Sequence, residues 1–283
     1  MPTVRHRRLA RELRIARERA GLSREQAARR LGCDPSKLSR VEGAKVRPKL
    51  GDVENMLDLY GVPSPDRDAL LQLARDARKR GWWTTFGGVL DGAYVGLEDE
   101  ATSIFSWQPQ RIPGLLQTED YARAVLTASP RIPTSPTDPN ERWWRVEEHV
   151  RARMARQLLL TRPTPPTFHA VLGEGALRLQ VGGPAAHRRQ LERLLEATEL
   201  PNVTLQVLPF TVGAHAGMDG SFVLLRFADP DDPDVVYIEG QEGDVYPESA
   251  EQLARIRLAE ERLVEAALSP EESIGFLHRL VKE

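Results

Sequence analysis

The 283-residue chain is 41% hydrophobic and 28% charged, a balance typical of folded soluble domains that excludes large-scale disorder, and its length suits two domains. No run approaches the ~18 apolar residues of a membrane span, and the basic N-terminus leads into no apolar signal core, so a cytoplasmic protein with no membrane partner is expected. The lone Cys33 excludes an internal disulfide and any multi-thiolate zinc site, while the net charge of −2 hides a division: residues 1–80 carry +9 and the remainder −11.

In chain order, the first expected helix runs from Val4 to Ala20, with Leu9, Leu13, Ala16 and Ala20 on one face and Gly21 ending it in a left-handed conformation. A second opens at Ser23, whose spacing to Gln26 forms a capping box, and Gly32 breaks it. Cys33 lies in the turn as a small buried residue. Asp34 is the next N-cap, with Pro35 at the first helical position. This third helix, Pro35 to about Glu42, turns Leu38 and Val41 to the core and leaves Ser36, Ser39 and Arg40 outward with Lys37 on the flank. Two short helices joined by so tight a turn match a helix-turn-helix. Arg40, with its planar fork, suits a guanine edge. Ser36 and Ser39 suit base edges or phosphates, and Arg24, Lys37 and Lys45 suit phosphates. Leu50, Val53, Leu57 and Tyr60 mark a fourth helix ended by Gly61. Ser64-Pro65 starts a fifth that ends in Arg78-Lys79-Arg80. An all-α, five-helix domain over residues 1–80 is expected, with double-stranded DNA as partner.

The run Leu22-Ser23-Arg24-Glu25-Gln26-Ala27-Ala28, Leu31-Gly32 and Pro35-Ser36-Lys37-Leu38-Ser39-Arg40-Val41-Glu42-Gly43 resembles the XRE family of helix-turn-helix repressors. The resemblance implies that the third helix enters the major groove of an operator. Where that family often carries Gln, bonding phosphate and base, this chain has Arg24, which implies a phosphate contact.

Glycines and an Asp91-Gly92 turn mark residues 81–96 as a linker. From residue 97 to 283 an α/β (α+β) domain is expected, with a small sheet of about four strands. A helix from Leu97 to about Trp107 and another from Glu119 to Ala128 precede a proline-rich loop, Pro130 to Pro139. A long helix from Asn140 to Leu160 follows, its arginines Arg145, Arg151, Arg153 and Arg156 forming a solvated face with Glu147 and Glu148. The pairs Trp82-Trp83 and Trp143-Trp144 are expected as packing anchors. Strands are read at Phe168–Leu172, Val203–Leu208, Phe222–Phe227 and Val235–Glu239, with a crossover helix from Ala185 to Thr198. Helices from Glu248 to Leu268 and Pro270 to Val281 finish the chain. Ile112 to Thr118, Arg156-Gln157, Pro201 to Phe210 and Gly217 to Phe222 make the region similar to the C-terminal domain of WhiJ-like actinobacterial regulators. That similarity implies a developmental or antibiotic-production regulator with a small partner protein and assigns no catalytic residue.

No phosphate loop, dinucleotide fingerprint, nucleophile elbow or zinc-spaced histidine pair is present. No cofactor, metal or catalytic residue is expected. Glu174, His215, Asp219, Ser221 and Glu239 lie near strand ends, where ligands of α/β sheets bind. The reading is a sequence-specific, homodimeric transcription regulator, not an enzyme, whose second domain senses a small-molecule effector or partner protein. Two alternatives stay open: an antitoxin-like module holding a small protein, and an enzyme fused to a DNA-targeting domain.

Overall fold

Side-chain caps start the first three helices. Thr3 accepts from the His6 amide, Ser23 from that of Gln26 and Asp34 from that of Ser36, opening α1 (Val4–Arg19), α2 (Arg24–Arg30) and α3 (Pro35–Glu42). The box at Ser23 is reciprocal, since the Gln26 side chain accepts from the Ser23 amide at 2.8 Å. Gly21 and Gly32, at φ +67° and +62°, reverse the chain after α1 and α2 in a conformation that costs other residues energy. With α4 (Leu50–Tyr60) and α5 (Asp66–Asp76), these make the expected five-helix unit.

The computed structural model describes residues 3–78, 81–90, 93–132, 141–241, 243–247 and 249–283. They divide into two units, one drawn from Met1–Thr85 and Gly92–Leu97 and the other from Phe86–Asp91 and Glu98–Glu283. In the first, Leu9, Leu13, Leu38, Val41, Val53 and Leu57 are buried in one core against which Cys33 packs. Burial of each such side chain contributes roughly 1.5–3 kcal/mol. Ala20, expected on the inner face, is exposed, because the helix closes at that residue.

The segment expected as a linker carries structure. A 3-10 stretch covers Trp82–Leu90 with a break at Gly87, and α6 (Ala93–Glu100) follows; the expected Asp91-Gly92 turn lies outside the described residues. Trp82 and Trp83 meet edge to face at 6.1 Å.

The expected helix from Leu97 to Trp107 is instead the end of α6 and a strand, β1 (Ser103–Gln108). Five of its six residues are buried, so the alternation that announces a half-exposed strand is missing. β1 lies inside a six-stranded sheet with β2 (Thr167–Gly173), β3 (Val203–Leu208), β4 (Phe222–Arg226), β5 (Val235–Gly240) and β6 (Gly243–Val245), in the order β3-β2-β1-β4-β5-β6. β1, β2 and β3 are parallel, and the other pairings are antiparallel. The sheet therefore exceeds the four strands expected by β1 and by β6, which is three exposed residues long.

The parallel crossovers are helical: α7 (Glu119–Ala128) and α8 (Glu141–Arg156) between β1 and β2, then α9 (Glu174–Arg178) and α10 (Pro184–Ala197) between β2 and β3. α11 (Ala250–Ala266) and α12 (Pro270–Lys282) close the chain. Phe105, Trp107, Val171, Leu224 and Val236 form one core with Leu263 of α11. By strand alternation Ser106 and Gln108 face the other side of the sheet.

α8 departs from its expected solvated face. Arg145 does pair with Glu141 one turn back, but Arg156 makes two bonds to Glu98, at 2.8 and 2.9 Å, and Arg153 also turns inward. Trp143 and Trp144, expected as anchors, are 53% and 61% exposed; the buried line of α8 starts a turn later, at Val146. Residues 133–139 of the expected proline-rich loop lie outside the described residues.

Candidate nucleic-acid interface

α3 is fixed from behind and open in front. Leu38 and Val41 are wholly buried, which points Ser36, Ser39 and Arg40 outward, and all three are exposed. Hydrogen bonds from Ser36 hold the capping Asp34 carboxyl below its usual range, so the cap stays ionised at neutral pH. At the other end, the Lys45 amide bonds back to the Arg40 carbonyl at 2.7 Å, and the His6 ring meets the Val46 carbonyl at 3.3 Å. Lys45 itself is exposed beyond this turn. A helix held at both ends presents its side chains with little left to order on binding.

The six residues expected at DNA lie on α2, on α3 and in the turn after it, and they differ in freedom. Arg40 makes no ion pair among the described residues; its Nε gives only a long bond, 3.4 Å, to the Ser36 carbonyl. Lys37 is paired, its Nζ 3.1 Å from Asp52 on α4. Arg24 donates through Nε to Glu42 at 3.2 Å, and its side chain is 41% exposed. The Lys37–Asp52 pair is open to solvent on both sides and is worth about 0–1 kcal/mol, so a phosphate can take its place, and Arg24 is solvent-washed on its own side of its pair.

Sequence reasoning missed what lies behind Arg24. The Glu42 side chain is 2% exposed and accepts from Arg17 Nε at 2.6 Å and Arg17 Nη2 at 3.2 Å; Arg17 also donates to the Leu22 carbonyl at 2.7 Å. The bond to Glu42 raises the Arg17 pKa. This interior pair ties α1 to α3 and to the turn before α2. Its only signal in the sequence was an arginine inside the apolar stripe of helix one.

In the second unit the five candidate residues do not form one site. Glu174 is a latch: one carboxylate oxygen accepts from Arg178 at 2.6 Å, and the other takes the Phe210 amide at 2.9 Å. His215 lies edge-on to Trp107, with ring centroids 5.3 Å apart, and its Nδ1 accepts from the Gly217 amide. Asp219 and Ser221 do share a pocket, of about 300 Å³, with Arg255 and Arg262 of α11. Glu239 is bound to Arg111 and Arg131. No hydrogen bond joins Ser221 to His215 among the described residues. Nor, among them, does any group of His, Cys, Asp and Glu side chains suit a metal.

No helix of the described chain is long and apolar enough to cross a membrane. Comparison with curated proteins and with solved structures gives no match. A helix-turn-helix domain model matches residues 8–70, which encloses the capped helices and the turn just described and makes this unit an XRE-like DNA-binding domain. A second model, described as a domain of unknown function (DUF5753), matches residues 92–279. On that span the chain belongs to the DUF5753 family, and its helix-turn-helix marks it as a DNA-binding regulator.

Proposed function

We infer that the chain is a sequence-specific transcription regulator that binds its operator as a homodimer. Each α3 enters a major groove, at half-sites one helical turn or a multiple apart. Arg40 reads a base, Ser36 and Ser39 contact base edges or phosphates, and Arg24, Lys37 and Lys45 hold phosphates. The observation that carries this reading is the outward row Ser36, Ser39 and Arg40 on a helix whose other side is wholly buried. The test is selection of the full chain against random duplexes. A recovered two-fold motif whose specificity relaxes at one base pair per half-site in Arg40→Ala, by about 1–3 kcal/mol, supports it. A variant that selects the parent motif at parental affinity removes α3 as the reading helix.

The second domain, on this reading, senses a small effector or a partner protein and performs no catalysis. The resemblance of Ile112 to Thr118 and of Pro201 to Phe210 to WhiJ-like actinobacterial regulators supports a regulatory task. A DNA partner also supports a cytoplasmic location.

A further inference from the structure

The loop before β4 is pinned at its centre. Nε1 of wholly buried Trp107 donates to the Gly217 carbonyl at 2.9 Å, the Gly217 amide donates to His215 Nδ1 at 3.1 Å, and a Cβ on Gly217 would strike the indole. Three residues on, Gly220 turns the chain at φ +125°, a conformation that residues with a side chain rarely adopt. Asp219 and Ser221 therefore stand on either side of a fixed turn, where they line the pocket of about 300 Å³. The pocket is completed by Phe222 of β4, Ile238 of β5 and α11. On α11, Arg255 and Arg262 are seven residues, about 10 Å of helix, apart, with Ile256 and Leu258 between them.

The charged groups of this pocket hold no partner of their own. Elsewhere around α11 the arginines are matched: Arg226 holds Glu260, and Arg257 holds Asp234. By contrast, the side chains of Arg262, Asp219 and Ser221 make no hydrogen bond or ion pair among the described residues. Arg255 has only Glu251, one turn back at 3.7 Å, a pair that solvent screens. A carboxylate and a guanidinium thus line one cavity without meeting each other, and the space between them is apolar. Leu258 is 46% exposed there, so an apolar group laid against it leaves water.

We propose that this pocket binds a free apolar α-amino acid as its zwitterion. The planar fork of Arg262 takes the carboxylate, the ammonium donates to the Asp219 carboxylate and to Ser221 Oγ, and the side chain covers Ile256 and Leu258. A lone carboxylate or a lone amine satisfies one of the two charges and leaves the other, so the pocket selects a molecule that bears both. Its volume of about 300 Å³ lies at the small end of ligand cavities, which suits a single amino acid rather than a peptide. The proposal rests on the reading of the second domain as a sensor and names the chemistry it senses.

The test titrates the full chain by calorimetry with L-valine, L-leucine, L-isoleucine, L-methionine and L-phenylalanine in turn. Glycine, isopentylamine and 4-methylpentanoate serve as controls that lack the side chain, the carboxylate and the ammonium. The expected result is saturable binding of at least one of the five, with every control at least about tenfold weaker. Arg262→Gln and Asp219→Asn should each weaken that binding about tenfold or more, and Arg188→Gln, remote from the pocket, should leave it unchanged. Both pocket side chains are exposed and bond to no described residue, so these variants keep the fold, which thermal midpoints of the unliganded proteins check. No saturable binding of any of the five, equal binding of any control, or parental affinity in either pocket variant overturns the proposal. Operator affinity measured with and without the bound amino acid separates the two ideas. Binding that leaves operator affinity unchanged keeps the site and removes the sensor reading.

Discussion

Glu42→Gln tests the account of how α3 is held. In the folded chain the Glu42 carboxylate accepts two bonds from Arg17, and the Arg17 side chain is only 7% exposed. Replacing the charge with an amide leaves the interior guanidinium with only the solvent-exposed Glu18, 3.3 Å from its Nη2, as a carboxylate partner, while Arg24, 41% exposed, recovers water. Removing one partner of a buried ion pair costs about 3–5 kcal/mol. The amide keeps the shape and one acceptor, so the lower end, about 3 kcal/mol, is expected. Arg17→Met with Glu42→Leu removes both charges and should restore most of the loss, because the pair's attraction and its desolvation cost nearly cancel. Two units make a single unfolding midpoint ambiguous, so the assay is native-state hydrogen exchange on the full chain, followed at the amides of Leu38 and Val41. A loss below about 1 kcal/mol in Glu42→Gln, or a double variant as unstable as the single, refutes the reasoning.

Asp52→Asn should free Lys37 for phosphate, strengthening binding to unrelated duplexes and steepening the salt dependence by about one ion, as measured by titrating affinity against salt. Gly217→Ala should destabilise the second unit by about 1–3 kcal/mol or more in a denaturant melt followed by tryptophan fluorescence, because a Cβ there would sit 2.4 Å from Nε1 of wholly buried Trp107. Burial lowers the pKa of His6, His169 and His187 below 6.5. The unfolded chain therefore takes up protons first as pH falls. Their contribution is intact above 6.5 and declines between 6.5 and the folded values. Thermal midpoints should fall from pH 7.5 to 5.5, and His169→Gln should shallow the slope; an unchanged slope assigns the fall to other groups.

The first unit was legible because its determinants are local. Ser23 with Gln26, Asp34 with Pro35, and the glycines after α1 and α2 each act within four residues, and the apolar period of α1 and α3 set which sides face inward. The partnership of Arg17 with Glu42 spans 25 residues and was invisible for that reason. β1 escaped for a different one: Ile104-Phe105-Ser106-Trp107-Gln108 is buried on both faces, so no polar alternation separated strand from helix. The arginines of α8 looked like a solvated face because period alone cannot tell a charge paired with water from one paired with Glu98. The five residues near strand ends could not be sorted by sequence, because only the folded chain shows that Glu239 faces Arg111 and Arg131 while Asp219 and Ser221 share a pocket with α11.

The pairing of the DNA face has a consequence for how affinity and specificity divide. Arg24 and Lys37 each already hold a carboxylate, so a phosphate gains only the difference between two ion pairs, and each contact adds less than an unpaired cation would. Arg40 holds none among the described residues, so on the proposed reading a base contact there keeps its full value. Damping the phosphate terms while leaving the base term whole lowers binding to every sequence by the same factor and makes the base term a larger share of what remains at the operator. Glu42 and Asp52 thus reduce grip and leave the ratio between operator and random sequence unchanged. The prediction is that Asp52→Asn raises affinity for random duplexes and for the operator by the same factor, so that the ratio between them is unchanged; a ratio that shifts shows that Lys37 contacts more than phosphate.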